Sequence, residues 1–176
     1  MSVLTSTTTE QQFTAQQERR VALRRALKAR PDDPRLRRAL QRLTAPDQIA
    51  ESAARGVFIS YNRADEVFAF ELREALCDAG VAVWLDMVDA EGDWQHAVNN
   101  ALRTCGLMIA VVSPSAENDS AVHAERERFR AMGKLILPVM AARCEIEPGE
   151  FWLPTVDLSA DFTRGMLTLR SAFNAG

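Results

Sequence analysis

The chain has 176 residues, of which 47% are hydrophobic and 26% charged, with a formal net charge of −3 at pH 7. This is the composition of an ordinary globular protein, and the length allows one medium domain plus a smaller appendage. No apolar run reaches the roughly 18 residues of a membrane span, and the N-terminus lacks a secretory signal, so we expect a cytoplasmic protein with no membrane partner. The three cysteines, Cys77, Cys105 and Cys144, are too widely spaced to favour a disulfide framework or a zinc site.

Charge is divided unevenly along the chain. Residues 1–55 hold eleven basic and six acidic residues, net +5, whereas residues 56–176 hold ten and eighteen, net −8. A basic segment beside an acidic body can attract another copy, an acidic partner or nucleic acid, or it can simply be a solvated arginine-rich helix. Nucleic acid is the least favoured of these, because the basic segment has a single aromatic residue, Phe13, on which a base could stack.

The first 55 residues divide into three predicted segments. Residues 1–12 are rich in Ser, Thr and Gln, a composition typical of disorder. Residues 13–43 show helical spacing interrupted by PDDP (Pro31–Pro34), which predicts a helical hairpin because proline cannot continue a helix. Residues 44–55 are predicted to be a linker.

Residues 56–176 predict an α/β domain. Short apolar runs typical of buried parallel strands alternate with amphipathic helices. The predicted strands are Val57–Tyr61, Val81–Leu85, Leu107–Val112, Leu135–Met140 and Thr155–Leu158. This alternation predicts a parallel sheet with helices on both faces. The loops after the first three strands should then meet at one edge, where such sheets bind ligands.

One carboxylate beside that edge has an unusual predicted position. Glu125 shares a helical face with the apolar residues Val122, Phe129 and Met132. A carboxylate on such a face either caps a neighbouring structural element, is misplaced, or has a functional role. Glu127 turns about 200° away, among Arg126, Arg128 and Arg130, and is predicted to be a solvated salt-bridging residue.

Several standard sites are absent from the sequence. There is no G-x-G-x-x-G, the Gly133-Lys134 pair lacks the rest of a phosphate loop, and the acids of residues 86–93 miss the calcium-loop spacing. His96 and His123 are isolated and are interpreted as helix-surface residues. A carboxylate beside hydroxyl, amide and aromatic groups suits glycosidic bond cleavage through an oxocarbenium-like transition state, as one alternative to a structural role.

Four segments resemble the TIR (Toll/interleukin-1 receptor) domain family. They are FISYNRAD (Phe58–Asp65), VWLD with the following EGDW (Val83–Asp86, Glu91–Trp94), CGLMIAVVSPSA around the third strand, and VHAERERFRAMGKLILPV (Val122–Val139). The resemblance implies a flavodoxin-like, five-stranded parallel sheet over residues 56–176. It also implies one of two functions: cleavage of the nicotinamide–ribose bond of NAD+ by assembled domains, or non-enzymatic TIR–TIR association.

The resemblance also assigns roles to individual residues. Glu125 lies eight residues before Gly133, at the position of the catalytic glutamate of enzymatic members. The substrate pocket would be lined by Tyr61, Asn62, Arg63, Asp86, Trp94 and Ser113. Each of these can instead be structural, for example Asn62 as a helix cap or Trp94 as core filling. Ala121 departs from the family pattern, since enzymatic members often place a tryptophan there.

The resulting hypothesis is a TIR-domain NAD+ nucleosidase that forms ADP-ribose or a cyclic isomer. It would be activated by self-association with other TIR domains and act in bacterial antiphage defence, with NAD+ as substrate and no cofactor or metal. One alternative is a non-catalytic interaction module, either an adaptor or an effector that mimics host adaptors. Another is an oligomerising scaffold whose arginine-rich hairpin binds acidic surfaces.

Overall fold

The computed structural model of the chain describes residues 19, 22–23, 25–30, 32–36, 39, 46–85, 94–146, 150–151 and 153–173. Within these residues five strands form one sheet, in which every neighbouring pair is parallel and the order is β2-β1-β3-β4-β5. The strands are β1 (Val57–Ser60), β2 (Val83–Trp84), β3 (Leu107–Val112), β4 (Leu135–Met140) and β5 (Val156–Asp157). The predicted parallel α/β fold is confirmed, and the two edge strands are shorter than their apolar runs.

The helices cover both faces of the sheet, which explains the uninterrupted apolar sequences of β3 and β4. One core lies between the sheet and the helices that contribute Leu72 and Leu169, and a second core contains Leu102 and Phe129. The helices are α1 (Pro46–Ala53), α2 (Glu66–Cys77), α3 (Trp94–Thr104), α4 (Pro114–Glu117), α5 (Ser120–Ala131) and α6 (Phe162–Phe173). A 3₁₀ turn over Arg63–Asp65 leads into α2.

The strand order creates a switch point between β1 and β3. The chain passes from β1 to β2 on one side and then returns past β1 to place β3 on the other side. Connections that leave two adjacent strands in opposite directions open a crevice at their carboxyl ends, where doubly wound sheets bind ligands. The polar residues that follow β1 and β3 therefore flank one crevice.

The segment predicted to be a linker, residues 44–55, instead contains α1. Ile49 and Ala53, four residues apart, lie on one helical face and are buried in the first core, where α1 packs against α6. The end of α1 also approaches the turn before β3 closely. A Cβ atom on Gly106 would lie 2.2 Å from the Ser52 carbonyl oxygen, so this contact requires glycine.

The predicted N-terminal hairpin is only partly described. Residues 25–29 and 34–36 are helical, and Asp33 Oδ1 accepts hydrogen bonds from the backbone N–H groups of Arg35 (2.9 Å) and Leu36 (3.3 Å). Asp33 therefore caps the second helical stretch, with Pro34 at its first position. Residues 1–12 lie outside the described residues, and the hairpin remains a prediction. None of the helices described is both long and apolar enough to cross a bilayer.

Candidate active site

Glu125 lies at the carboxyl end of β1, beside the switch point. It is the sixth residue of α5 and is partly exposed. Ser60, the last residue of β1, is 1% exposed, and its hydroxyl donates a hydrogen bond to Glu125 Oε2 at 2.8 Å. Sequence reasoning missed Ser60, although its place at the end of a buried strand could have indicated it. The partly exposed Glu125 carboxylate is thus held by a buried hydrogen-bond donor at the end of β1.

Glu125 is not the cap of its helix, because Asp119 has that role. Asp119 Oδ1 accepts hydrogen bonds from the backbone N–H groups of Ala121 (2.8 Å) and Val122 (3.4 Å). Asn62 Nδ2 donates to Asp119 Oδ2 at 2.7 Å, which ties the loop after β1 to the start of α5. Although burial opposes the change, these hydrogen bonds hold the pKa of Asp119 below its ordinary value.

A second contact joins the loop after β1 to the end of β3. The buried Ser113 hydroxyl donates to Asp65 Oδ2 at 2.5 Å and accepts from the Ala116 backbone N–H at 3.0 Å. Ser113 is therefore the N-cap of α4, a short helix that was not predicted. The three strand-end donors, Ser60, Asn62 and Ser113, each hold one carboxylate at this edge.

The structure brings part of the predicted site together. Tyr61 packs partly against the first core, Asn62 is half-buried, and Arg63 is exposed at the start of the 3₁₀ turn. Asn62 also caps that turn by accepting from the Ala64 backbone N–H at 2.8 Å. Asp86 lies outside the described residues. Trp94 is the first residue of α3, but its side chain is not among those described.

The buried face of α5 differs from the predicted one, as the position of Arg126 shows. The sequence pattern predicts that Arg126 lies among solvated arginines, yet it is 1% exposed, whereas Met132, predicted to face inward, is exposed. The spacing of Val122, Arg126 and Phe129 is itself helical, so the sequence contained this signal. Glu127 is an exposed residue that pairs with Arg130, as predicted.

The Arg126 side chain, which follows Glu125 in the sequence, joins three elements. Its Nη1 donates to Glu117 Oε1 (2.7 Å) and Glu150 Oε1 (3.1 Å), its Nη2 donates to the Val111 carbonyl (2.9 Å), and its guanidinium lies over the Phe151 ring. Burial and the neighbouring Glu117 carboxylate raise the pKa of Glu150, although Arg126 opposes the change. We call Arg126, Glu117 and Glu150 the arginine cluster. It fixes α4 and the segment before β5 against α5.

A groove of about 360 Å³ lies between α3 and α5. Arg128 Nη1 donates to Asn99 Oδ1 at 3.2 Å across it. Its lining residues are His96, Asn99, Leu102, Arg103, Arg128 and Met132. Of the predicted site residues whose side chains the structure describes, none lines this groove.

Strand order and polar edge together define a flavodoxin-like α/β domain with a carboxylate at its switch point. A TIR domain family model matches residues 57–172, and the chain belongs to that family. The fold is similar to the crystal structure of the TIR domain of the Toll-related receptor TRR-2 from Hydra magnipapillata, with a TM-score of 0.54 and 17% identity over 65% of this chain and 96% of that one. A search of curated proteins finds no match. TIR domains act as NAD+ hydrolases or as adaptors, and they commonly self-associate.

Proposed function

We propose that this chain is a TIR-domain NAD+ nucleosidase and that Glu125 is its catalytic carboxylate. The observation that supports this most directly is the partly exposed Glu125 at the switch point, held by the buried Ser60 hydroxyl at 2.8 Å. A carboxylate in a helix interior beside a ligand crevice, with the capping role already filled by Asp119, has a position suited to chemistry rather than to helix stability.

The proposed reaction cleaves the bond between nicotinamide and C1′ of the ribose. The bonding electron pair leaves with nicotinamide, which becomes neutral, and positive charge develops on the ribose. The Glu125 carboxylate offsets that charge and holds ribose hydroxyls. Water then adds at C1′ and loses a proton to give ADP-ribose, or a nucleophile within the ADP-ribosyl group attacks to give a cyclic isomer.

The other predicted residues would line the substrate site. Tyr61, Asn62 and Arg63 follow β1, Asn62 is hydrogen-bonded to the cap of α5, and the exposed Arg63 guanidinium suits a phosphate contact. We assign Asp86, Trp94 and Ser113 to the same site from their motif positions. For Ser113 the assignment is an indirect one, because its hydroxyl already binds Asp65 and caps α4.

We further propose that self-association activates the enzyme. Large apolar side chains are exposed on two neighbouring helices, Val67 (74% exposed) and Phe70 on α2 and Leu167 (63% exposed) on α6. These helices adjoin, since Arg170 Nη2 donates to the Ala75 carbonyl at 3.2 Å. Contiguous exposed apolar surface is typical of protein contacts, so we propose these side chains as the contact between copies. We place the activity in the cytoplasm, in bacterial antiphage defence, with the N-terminal hairpin promoting or restraining assembly.

The test is release of nicotinamide from NAD+ by the purified protein, measured dilute and then concentrated. We expect activity to rise with protein concentration and to disappear in Glu125→Gln with the fold unchanged. Glu127→Gln is the matched control, because Glu127 lies on the same helix but is exposed and paired with Arg130. Equal losses in the two variants would contradict the assignment of Glu125.

A non-catalytic TIR interaction module is the second candidate, and Ala121 favours it. Ala121 is exposed on the first turn of α5, where enzymatic members often carry a tryptophan. Loss of a stacking platform weakens base binding by about 1–3 kcal/mol. A folded protein that releases no nicotinamide at any concentration, yet self-associates or binds other TIR domains, would establish this candidate instead.

A further inference from the structure

We propose that Ser60 is a positioning residue that keeps the Glu125 carboxylate ionised and oriented toward the substrate crevice. The effect of Ser60 on catalysis rests on the proposed NAD+ nucleosidase function. The coupling between Ser60 and Glu125 is a property of the folded protein and can be measured without any activity.

Ser60 is placed to act through Glu125 rather than on the substrate. It is buried at the end of β1, where it pairs in register with Ala110 of β3. A side chain with 1% exposure cannot contact a ligand in the crevice, yet its hydroxyl reaches Glu125 Oε2 at 2.8 Å. The strand fixes the donor, and the donor in turn fixes one carboxylate oxygen.

A hydroxyl that donates to a carboxylate favours its charged form. The ionised form is the one that offsets positive charge on the ribose, so a donor that stabilises it increases the fraction of competent enzyme at a given pH. The same bond limits rotation of a glutamate side chain, whose misplacement by about 1 Å can reduce the rate about 100-fold. Ser60 therefore contributes both ionisation and orientation.

The elements packed against α5 carry other ionisable groups. The helix α5 packs against β1 and β4, which carry no ionisable side chain, and against α3 and α4. The ionisable residues of α3, of α4 and of the 3₁₀ turn are His96, Arg103, Glu117, Arg63 and Asp65. Those of α5 and its cap are Asp119, His123, Arg126, Glu127, Arg128 and Arg130. All of them remain when Ser60 is replaced, so the change in Glu125 reports the hydroxyl alone.

The experiment is a ¹³C NMR titration of the Glu125 carboxyl, whose resonance is assigned by its loss in Glu125→Gln. We compare the native protein with Ser60→Ala, with Ser60→Thr, which keeps the hydroxyl, and with Ser113→Ala. Ser113→Ala is the matched control, because Ser113 is an equally buried serine at the end of the adjacent strand that donates to a different carboxylate, Asp65.

We expect the titration midpoint of Glu125 to rise by about one to two pH units in Ser60→Ala, and to stay near the native position in Ser60→Thr and Ser113→Ala. In the activity assay the acidic limb of kcat/KM should move upward by the same amount, with a loss of about 5- to 50-fold at its original midpoint. An unchanged Glu125 midpoint in folded Ser60→Ala would overturn this inference. An inactive native protein in which the midpoint does move would instead overturn the proposed function.

Discussion

At the scale of single residues, Arg126 carries the largest structural role next to the candidate catalytic carboxylate. A buried guanidinium is costly to desolvate, and its cost is offset here by two carboxylates, one backbone carbonyl and an aromatic ring. Removing the positive charge would leave Glu117 and Glu150 facing each other. The arginine cluster is therefore more sensitive to loss of one member than to replacement of all three.

We predict that Arg126→Met lowers the free energy of unfolding by about 3–5 kcal/mol, because the two carboxylates lose their shared cation while only 15% and 13% of their side chains are exposed. Urea denaturation at neutral pH measures the change. Arg128→Met is the control, since Arg128 is exposed and donates across the α3–α5 groove to Asn99; it should change stability by less than about 0.5 kcal/mol. Similar losses in both variants would show that burial of Arg126 is not what stabilises the cluster.

Asp119 gives a prediction with a pH dependence. Asp119→Ala should cost about 1–2 kcal/mol at pH 7, because it removes the cap of α5. The pKa of Asp119 is lowered in the folded state, so its contribution is present above the ordinary value of 3.8 and is lost as pH falls through the lower folded value. Denaturant titrations of both proteins at pH 7 and pH 3 should give a smaller difference at pH 3. A stability difference between the two proteins that is larger at pH 3 than at pH 7 would contradict the predicted direction of the pH dependence.

At the scale of elements, the fold depends on where helices meet strands closely. Gly165 in α6 lies against β5 and the residue after it: a Cβ atom there would be 2.7 Å from the Leu158 side chain and 2.8 Å from the Asp157 carbonyl oxygen. Since alanine is the better helix former by about 1 kcal/mol, a stabilising effect would be expected from propensity alone. The close packing of Gly165 against Leu158 and Asp157 opposes this gain in helix stability.

We predict that Gly165→Ala destabilises the protein by about 1–3 kcal/mol, because α6 must move away from β5 to accept the methyl group. Thermal unfolding measures the effect. Thr168→Ala, at an exposed position one turn later, is the control and should be neutral or slightly stabilising. If Gly165→Ala also proved stabilising, the close approach of α6 to β5 would be wrong.

The sequence predicted the elements whose signal is local. Apolar runs located all five strands, because those patterns arise from burial on the sheet faces, whereas the same reasoning chose the wrong inward face for α5. α1 was missed because its apolar face has only Ile49 and Ala53, too few for periodicity to show. Ser60 and the arginine cluster were missed because their partners are distant in sequence, as with Ser60 and Glu125, which are 65 residues apart.

At the scale of the whole molecule, the basic N-terminal region and the acidic body meet at α1. This helix belongs to the body, because Ile49 and Ala53 are buried in the first core and α1 packs on α6. A truncation meant to remove only the basic region must therefore end before α1. A truncation that ends before α1 tests whether the basic region acts in assembly, and one that also removes α1 tests whether α1 contributes to folding.

We predict that removing residues 1–43 leaves the melting temperature of the body nearly unchanged, whereas removing residues 1–55 lowers it by several degrees, because it uncovers the surface beneath Ile49 and Ala53. If the basic region mediates assembly, the shorter truncation should also reduce the light-scattering mass and its dependence on salt. Equal melting temperatures of the two truncated proteins would contradict the place of α1 in the core.

The docking of α1 sets how closely a partner of the N-terminal region is held. The sequence leaves only Thr44 and Ala45 between the predicted hairpin and α1. A tether this short keeps anything bound to the hairpin at a high local concentration beside the same body, since effective concentration falls as a linker lengthens. We therefore expect that lengthening this junction with a flexible insert would dilute any partner that the hairpin binds without altering a single contact in the body.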